Sequence, residues 1–147
     1  MSEQKKFTKI LVSADGSEPS MNAADYAISV AKIYHSELIV LHVIPSDVSL
    51  FGPSPPPHLD ELKKDAQQYL DKIVQTARTN KDDVMVASKI IAAPSVVGGI
   101  VNFAENERID LIVIGTKGRS GIKKLLLGSV ASGVVTYAHC PVMIVKL

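Results

Sequence analysis

Residues 110–129, DLIVIGTKGRSGIKKLLLGS, gather the residue types that could hold a phosphate. An apolar run, Leu111 to Ile114, ends at Gly115; Gly118 follows, and Gly128-Ser129 opens a small-residue helical stretch. Glycine lacks the Cβ that would keep an anion away from backbone N–H groups, and it turns readily through φ > 0. The first N–H groups of a helix have no partner within it, and its dipole favours negative charge there. Lys117, Arg119, Lys123 and Lys124 add positive charge to the same loop. The layout reads as a nucleotide-phosphate cradle. The competing reading is a strand-to-helix loop whose glycines serve turns and whose basic residues form a solvated face. Neither a G-x-x-x-x-G-K-[ST] P-loop nor a G-x-G-x-x-G dinucleotide fingerprint occurs in the chain.

Other residues with chemical potential are scattered. Asp15 lies in Asp15-Gly16-Ser17, where it could serve a ligand or simply bond its own backbone as a turn residue. His42 falls within an apolar run and reads as a packed core histidine rather than a base. His35, His58 and His139 share no metal-ligand spacing, and no Cys/His pattern suggests zinc. Cys140, the single cysteine, precedes Pro141 in an apolar setting and reads as structural rather than nucleophilic.

The elements that must position these residues follow from hydrophobic patterning. Five short apolar runs alternate with four amphipathic stretches, the signature of βαβ units around a parallel sheet. Strand one spans Lys9 to Ala14. The helix after it is capped by Ser17, carries Pro19 in its first turn, and repeats Met21, Ala24, Ile28 and Ala31 on one face. Strand two spans Glu37 to Ile44 and is stopped by Pro45. Half of the eight prolines lie between positions 53 and 57, so Ser46–Pro57 is expected to be extended or mobile and to join no sheet. It is either a plain connector or a flap near a ligand or partner.

A long helix follows, marked by Leu59, Leu62, Ala66, Tyr69, Ile73 and Ala77. Strand three is Val84 to Ile91, with the alternation of an edge strand. Helix three runs from Ser95 to about residue 107, where Gly98-Gly99 signals close packing against a neighbour. Strand four is Leu111 to Ile114, helix four Gly128 to Ala138, and strand five Pro141 to Lys146. The expected fold is a single α/β domain over residues 1–147, a doubly wound five-stranded parallel sheet with helices on both faces.

Ligands of open α/β sheets bind beyond the carboxyl ends of the strands, where strand order reverses. In the order 3-2-1-4-5, strands one and four are neighbours, and Asp15 faces the glycine loop across one crevice. That pairing sets a carboxylate for ribose, adenine or a phosphate-bound Mg²⁺ opposite an N–H-rich positive loop. The chain has 147 residues, 46% hydrophobic and 21% charged, with a net charge of +1. Balanced charge and only seven aromatic residues disfavour a nucleic-acid partner. No apolar run approaches a signal peptide or a membrane span, so no membrane partner and a cytoplasmic location are expected.

Taken together, these segments resemble the universal stress protein family, in its ATP-binding type. The G-x-x-G-x(9)-G-[ST] signature of that type stands here as Gly115, Gly118, Gly128 and Ser129. KILVSADGS in strand one, LHVI in strand two, DLIVIGTKG and the terminal CPVMIV fit the same pattern, so the resemblance spans essentially the whole chain. It implies an adenine nucleotide alpha hydrolase-like sheet ordered 3-2-1-4-5, paired into homodimers through the Pro141–Lys146 strand. It also implies that Ser13, Ala14 and Asp15 lie by the adenosine and that the backbone of Val43 meets adenine. Gly115 and Gly118 would line ribose and α-phosphate. Gly128 and Ser129 would hold the β- and γ-phosphates, with Thr116, Arg119, Ser120 and Val130 completing the set. ATP is the implied ligand, with Asp15 a ligand for nucleotide-bound Mg²⁺. Ala92-Ala93-Pro94 departs from the family's frequent glycine-x-proline turn, away from the expected phosphates.

A binder needs only to recognise adenosine and neutralise phosphate. Hydrolysis needs a group that orients water in line with the γ-phosphate, and no Gln, Glu or His stands beside the signature. The expectation is an ATP-binding homodimeric stress-response switch with an unidentified protein partner and no assigned catalytic residue. A slow or partner-dependent ATPase and a ligand-free dimeric interaction module are the alternatives.

Overall fold

The computed structural model describes residues 7–46, 48–49, 52–53, 58–79, 84–116 and 127–146. Five parallel strands form its main sheet: β1 (Lys9–Ser13), β2 (Glu37–Pro45), β3 (Met85–Ala93), β4 (Leu111–Gly115) and β5 (Val142–Val145). Their order is β3-β2-β1-β4-β5, as expected. The reversal falls between β1 and β4, which pair in the register Ile10↔Leu111 and Val12↔Val113. Four helices, α1 (Glu18–Tyr34), α2 (Leu59–Arg78), α3 (Val96–Asn106) and α4 (Ser129–Tyr137), cover the sheet.

Side chains alternate across a strand, and this alternation divides the core in two. Ile10, Val12, Leu38, Val40, Leu111 and Val113 face α1 and α2, where Ala23, Ala27, Leu70 and Ile73 meet them. Leu11, Ile39, Leu41, Ile112 and Ile114 face α3 and α4, against Ile100, Ala104, Ala131 and Val134. Continuous apolar runs such as LIVI in β4 are therefore what a strand covered on both faces requires. Helix α1 is capped by the Ser17 hydroxyl, which accepts from the Ser20 N–H, and ends at His35 in the left-handed region with φ 54°. Its alanine-rich face lets it lie close on the sheet.

The structure departs from expectation in three places. Strands β2 and β3 run on to Pro45 and Ala93, which pair with one another. Pro45 keeps its carbonyl, and as the last residue of the strand it gives up no interior ladder bond. Leu62 of α2 is exposed rather than inward, and Leu70 is fully buried in the core instead. The proline-rich segment does form sheet, against expectation: Val48–Ser49 and Gly52–Pro53 pair antiparallel as a two-stranded hairpin. With a single neighbour, Pro53 sits on an edge, where a missing N–H is tolerated. Residues 54–57 of that segment lie outside the described set.

At the amino-terminal edge, Asp110 ties β1 to β4. Its carboxylate accepts from the N–H groups of Thr8 and Lys9, at 3.0 and 2.9 Å, and from the Thr8 hydroxyl. Burial alone would raise its pKa, but these hydrogen bonds outweigh burial and hold it below the usual carboxylate range. Lys9 and Glu107 add an ion pair at 3.1 Å.

Candidate functional site

The carboxyl ends of β1, β2 and β4 share one edge of the sheet, where the sequence placed its candidate residues. Ser13 closes β1 opposite Leu41. Ala14 is buried, and its N–H donates to the Leu41 carbonyl at 2.9 Å. Asp15 begins a turn in which its Oδ1 accepts from the Ser17 N–H at 2.9 Å, so the turn role foreseen for it is realised. The Asp15 N–H donates to Ser20 Oγ at 3.2 Å, and the Ser20 hydroxyl donates to the Ser17 carbonyl at 3.0 Å. Gly16 follows with φ 83°, a left-handed conformation that glycine adopts without strain.

Val43 is buried near the end of β2, opposite Ile91 of β3 and on the α3 side of the sheet. A Cβ on Gly99 would lie 2.8 Å from its Cγ1 and 3.1 Å from the Cβ of Ala93. The close packing foreseen from Gly98-Gly99 is this approach of α3 to β2 and β3.

Gly115 ends β4 and is wholly enclosed. A Cβ there would fall 2.9 Å from the Pro19 carbonyl oxygen, so its smallness lets the first turn of α1 pack on the end of β4. That contact brings the β1–α1 junction and the β4–α4 junction together. Thr116 donates its N–H to the Val145 carbonyl at 3.1 Å, and its own carbonyl accepts from the Gly128 N–H at 2.7 Å. The last bond pins the two ends of the glycine loop to each other. Gly118, Arg119, Ser120 and the lysines at 117, 123 and 124 lie outside the described residues. Gly128 is the N-cap of α4 and offers no side-chain cap; Ser129 and Val130 form its first turn, exposed and half-buried, with no acidic residue in it.

His42 is half-buried, with Nδ1 2.8 Å from the Ala14 carbonyl oxygen and 2.8 Å from the Tyr69 hydroxyl. The packed-histidine expectation is met, but the part played by Tyr69 is not visible in the sequence, since the two residues stand 27 positions apart. Cys140 is half-buried on the α3 and α4 side, where burial pushes its thiol pKa up and the nearby Asp110 adds to the shift. Among the described residues no three His, Cys, Asp or Glu side chains gather as a metal site. No helix among them is long and apolar enough to cross a membrane.

A five-stranded parallel sheet whose order reverses between β1 and β4, with helices packed on both faces, defines an α/β domain of the doubly wound kind. Residues 6–146 match the profile described as "Universal stress protein family", and the chain belongs to that family. It is 37% identical over 145 residues to a universal stress protein of Methanocaldococcus jannaschii, covering 95% of this chain and 82% of that one. Identity to universal stress protein YxiE of Bacillus subtilis is 35% over 147 residues, covering 95% and 99% of the two chains.

Among solved structures, the universal stress protein UspA from Lactobacillus plantarum superposes with a TM-score of 0.83 at 24% identity, covering 97% and 99%. A universal stress protein in complex with cAMP gives 0.71 at 23% identity, covering 97% and 98%. One from Archaeoglobus fulgidus in complex with dAMP gives 0.69 at 22% identity, covering 95% and 98%. At these identities the structural likenesses speak for the fold.

Proposed function

We propose that the protein binds ATP in the crevice between the Asp15 turn and the Gly115–Ser129 loop, and that the bound state alters its dealings with a protein partner. The observation that carries this reading is the pinned loop. The Gly128–Thr116 bond gathers Gly115, Thr116, Gly128 and the uncapped first turn of α4 at one point, which suits a phosphate chain. Adenine then lies toward the backbone of Val43, the adenosine by Ser13, Ala14 and Asp15, and the ribose and α-phosphate along Gly115 and Gly118. Gly118, Arg119 and Ser120 complete the phosphate contacts. The complexes of related folds with cAMP and dAMP support an adenine nucleotide as the ligand class. Mg²⁺ enters this reading as the nucleotide's own counter-ion, with Asp15 its candidate protein ligand.

The homodimer belongs to the same proposal. Strand β5 ends the sheet with half-buried Val142, Met143 and Ile144, and an apolar strand edge is a ready template for a second copy. The experiment that tests the reading is to purify the protein, denature it, and identify the released small molecules by ion-exchange chromatography with mass detection. Near-stoichiometric ATP is the expected result. Recovered ADP, with phosphate release that scales with protein and fails in Asp15→Ala, replaces the binder with a slow ATPase. An empty protein that ignores added ATP in calorimetry overturns the cradle and leaves a ligand-free dimeric interaction module.

A further inference from the structure

We propose that His42 and Tyr69 are positioning residues for the Asp15 turn, holding it in register for the ligand; the inference rests on the nucleotide reading above. His42 stands on the α1 and α2 side of the sheet, in the row that otherwise presents Leu38 and Val40 to the core. An apolar side chain there would serve packing alone, so the imidazole needs a further explanation. The carbonyl of Ala14 can only accept, so Nδ1 carries the proton and donates at 2.8 Å. Ala14 is thereby held at both ends, its N–H by Leu41 and its C=O by His42.

Tyr69 fixes the imidazole in turn. With the Nδ1 proton given to Ala14, the Tyr69 hydroxyl, 2.8 Å from Nδ1 and 3.3 Å from Nε2, has the unprotonated Nε2 as its acceptor, and the rings meet edge to face with centroids 5.5 Å apart. The same ring is the seat of Gly16, where an added Cβ would fall 2.8 Å from both Cδ1 and Cε1. One tyrosine of α2 thus contacts both the histidine that anchors Ala14 and the glycine after Asp15. The residue between is Asp15, the carboxylate assigned to the adenosine side. Its two flanks, Ala14 and Gly16, are thus held by the same pair, His42 of β2 and Tyr69 of α2.

The test compares wild type with H42L, H42N and Y69F by titration with a fluorescent ATP analogue. Amide hydrogen exchange of nucleotide-free protein and thermal melts accompany the titration. Asparagine carries an N–H donor on the same branch as Nδ1, whereas leucine carries none. H42L is expected to bind about tenfold more weakly and H42N to recover most of that loss, with Y69F weakened about threefold. Exchange at Asp15, Gly16 and Ser17 should quicken in H42L and Y69F and return toward wild type in H42N. Wild-type affinity and exchange in H42L and Y69F would overturn the proposal, as would H42N impaired as severely as H42L. Should H42L fail to fold, Y69F carries the test. If the wild-type protein itself binds no nucleotide, the functional reading fails by itself, and the exchange rates still decide whether His42 and Tyr69 hold the turn.

Discussion

The two strand-to-helix junctions that meet at the switch point are built on opposite principles. Between β1 and α1, side-chain oxygens of the turn itself answer backbone N–H groups. Ser17 Oγ caps Ser20, Asp15 Oδ1 takes the Ser17 N–H, Ser20 Oγ takes the Asp15 N–H, and Glu18 adds a carboxylate to the first turn. Between β4 and α4, Gly128 caps with backbone alone, no acid stands in the first turn, and one bond to Thr116 closes the loop. A helix end lacking its own cap leaves donors and positive potential to something from outside. Among the described residues, the difference is that a side-chain oxygen caps the first turn of α1, whereas no side chain of the N-cap residue does so for α4.

The largest effect is expected where the two junctions touch. In Gly115→Val, side-chain carbons must enter space already held by the Pro19 carbonyl, 2.9 Å from the first of them. Overpacking of a closed core should lower stability by about 3 kcal/mol, read from urea unfolding. Retention of wild-type stability would mean that the junctions are not locked together and that Gly115 serves ligand approach alone. Next in size is Ser17→Ala, which removes the cap from the β1–α1 junction. Loss of such a cap should cost about 1 kcal/mol in the same assay, with a two-state transition retained. An unchanged midpoint would erase the contrast, since the cap would then contribute no more than the bare Gly128.

Much of this arrangement was legible in the sequence because it is local or periodic. The parallel α/β sheet followed from the alternation of apolar runs and amphipathic stretches, its strand order from the family resemblance, and the Ser17 cap and the Gly98-Gly99 packing from residue type alone. The rest depends on contacts between distant segments. Gly115 reads in sequence as a residue of the phosphate loop, yet its enclosure by Pro19 depends on α1 crossing the end of β4. The Tyr69 contact with His42 and Gly16 joins three separate elements and leaves no motif behind. Leu62 matched the helical period but fell beyond the part of α2 that meets the sheet. The Pro53 hairpin was missed because proline was weighed as a breaker of interior strands and not as a tolerated edge residue.

The smallest expected change in stability is the most discriminating, because its sign runs against that of function. Gly128→Asp gives the β4–α4 junction a side-chain cap such as the β1–α1 junction already has, here a carboxylate able to accept from the first-turn N–H groups of α4. Relative to glycine, such a cap adds a few tenths of a kcal/mol, and its charge against the helix dipole brings the gain to about 0.5 kcal/mol. A caller of the same donors from outside must then compete with a resident anion, so nucleotide binding should weaken while the melting temperature rises. The two measurements, a thermal melt and a calorimetric titration, are made on one preparation. Destabilisation would show that the first-turn donors are already engaged within the chain. Greater stability with undiminished ATP affinity would move the phosphates away from α4, and with them the reason for leaving that helix uncapped.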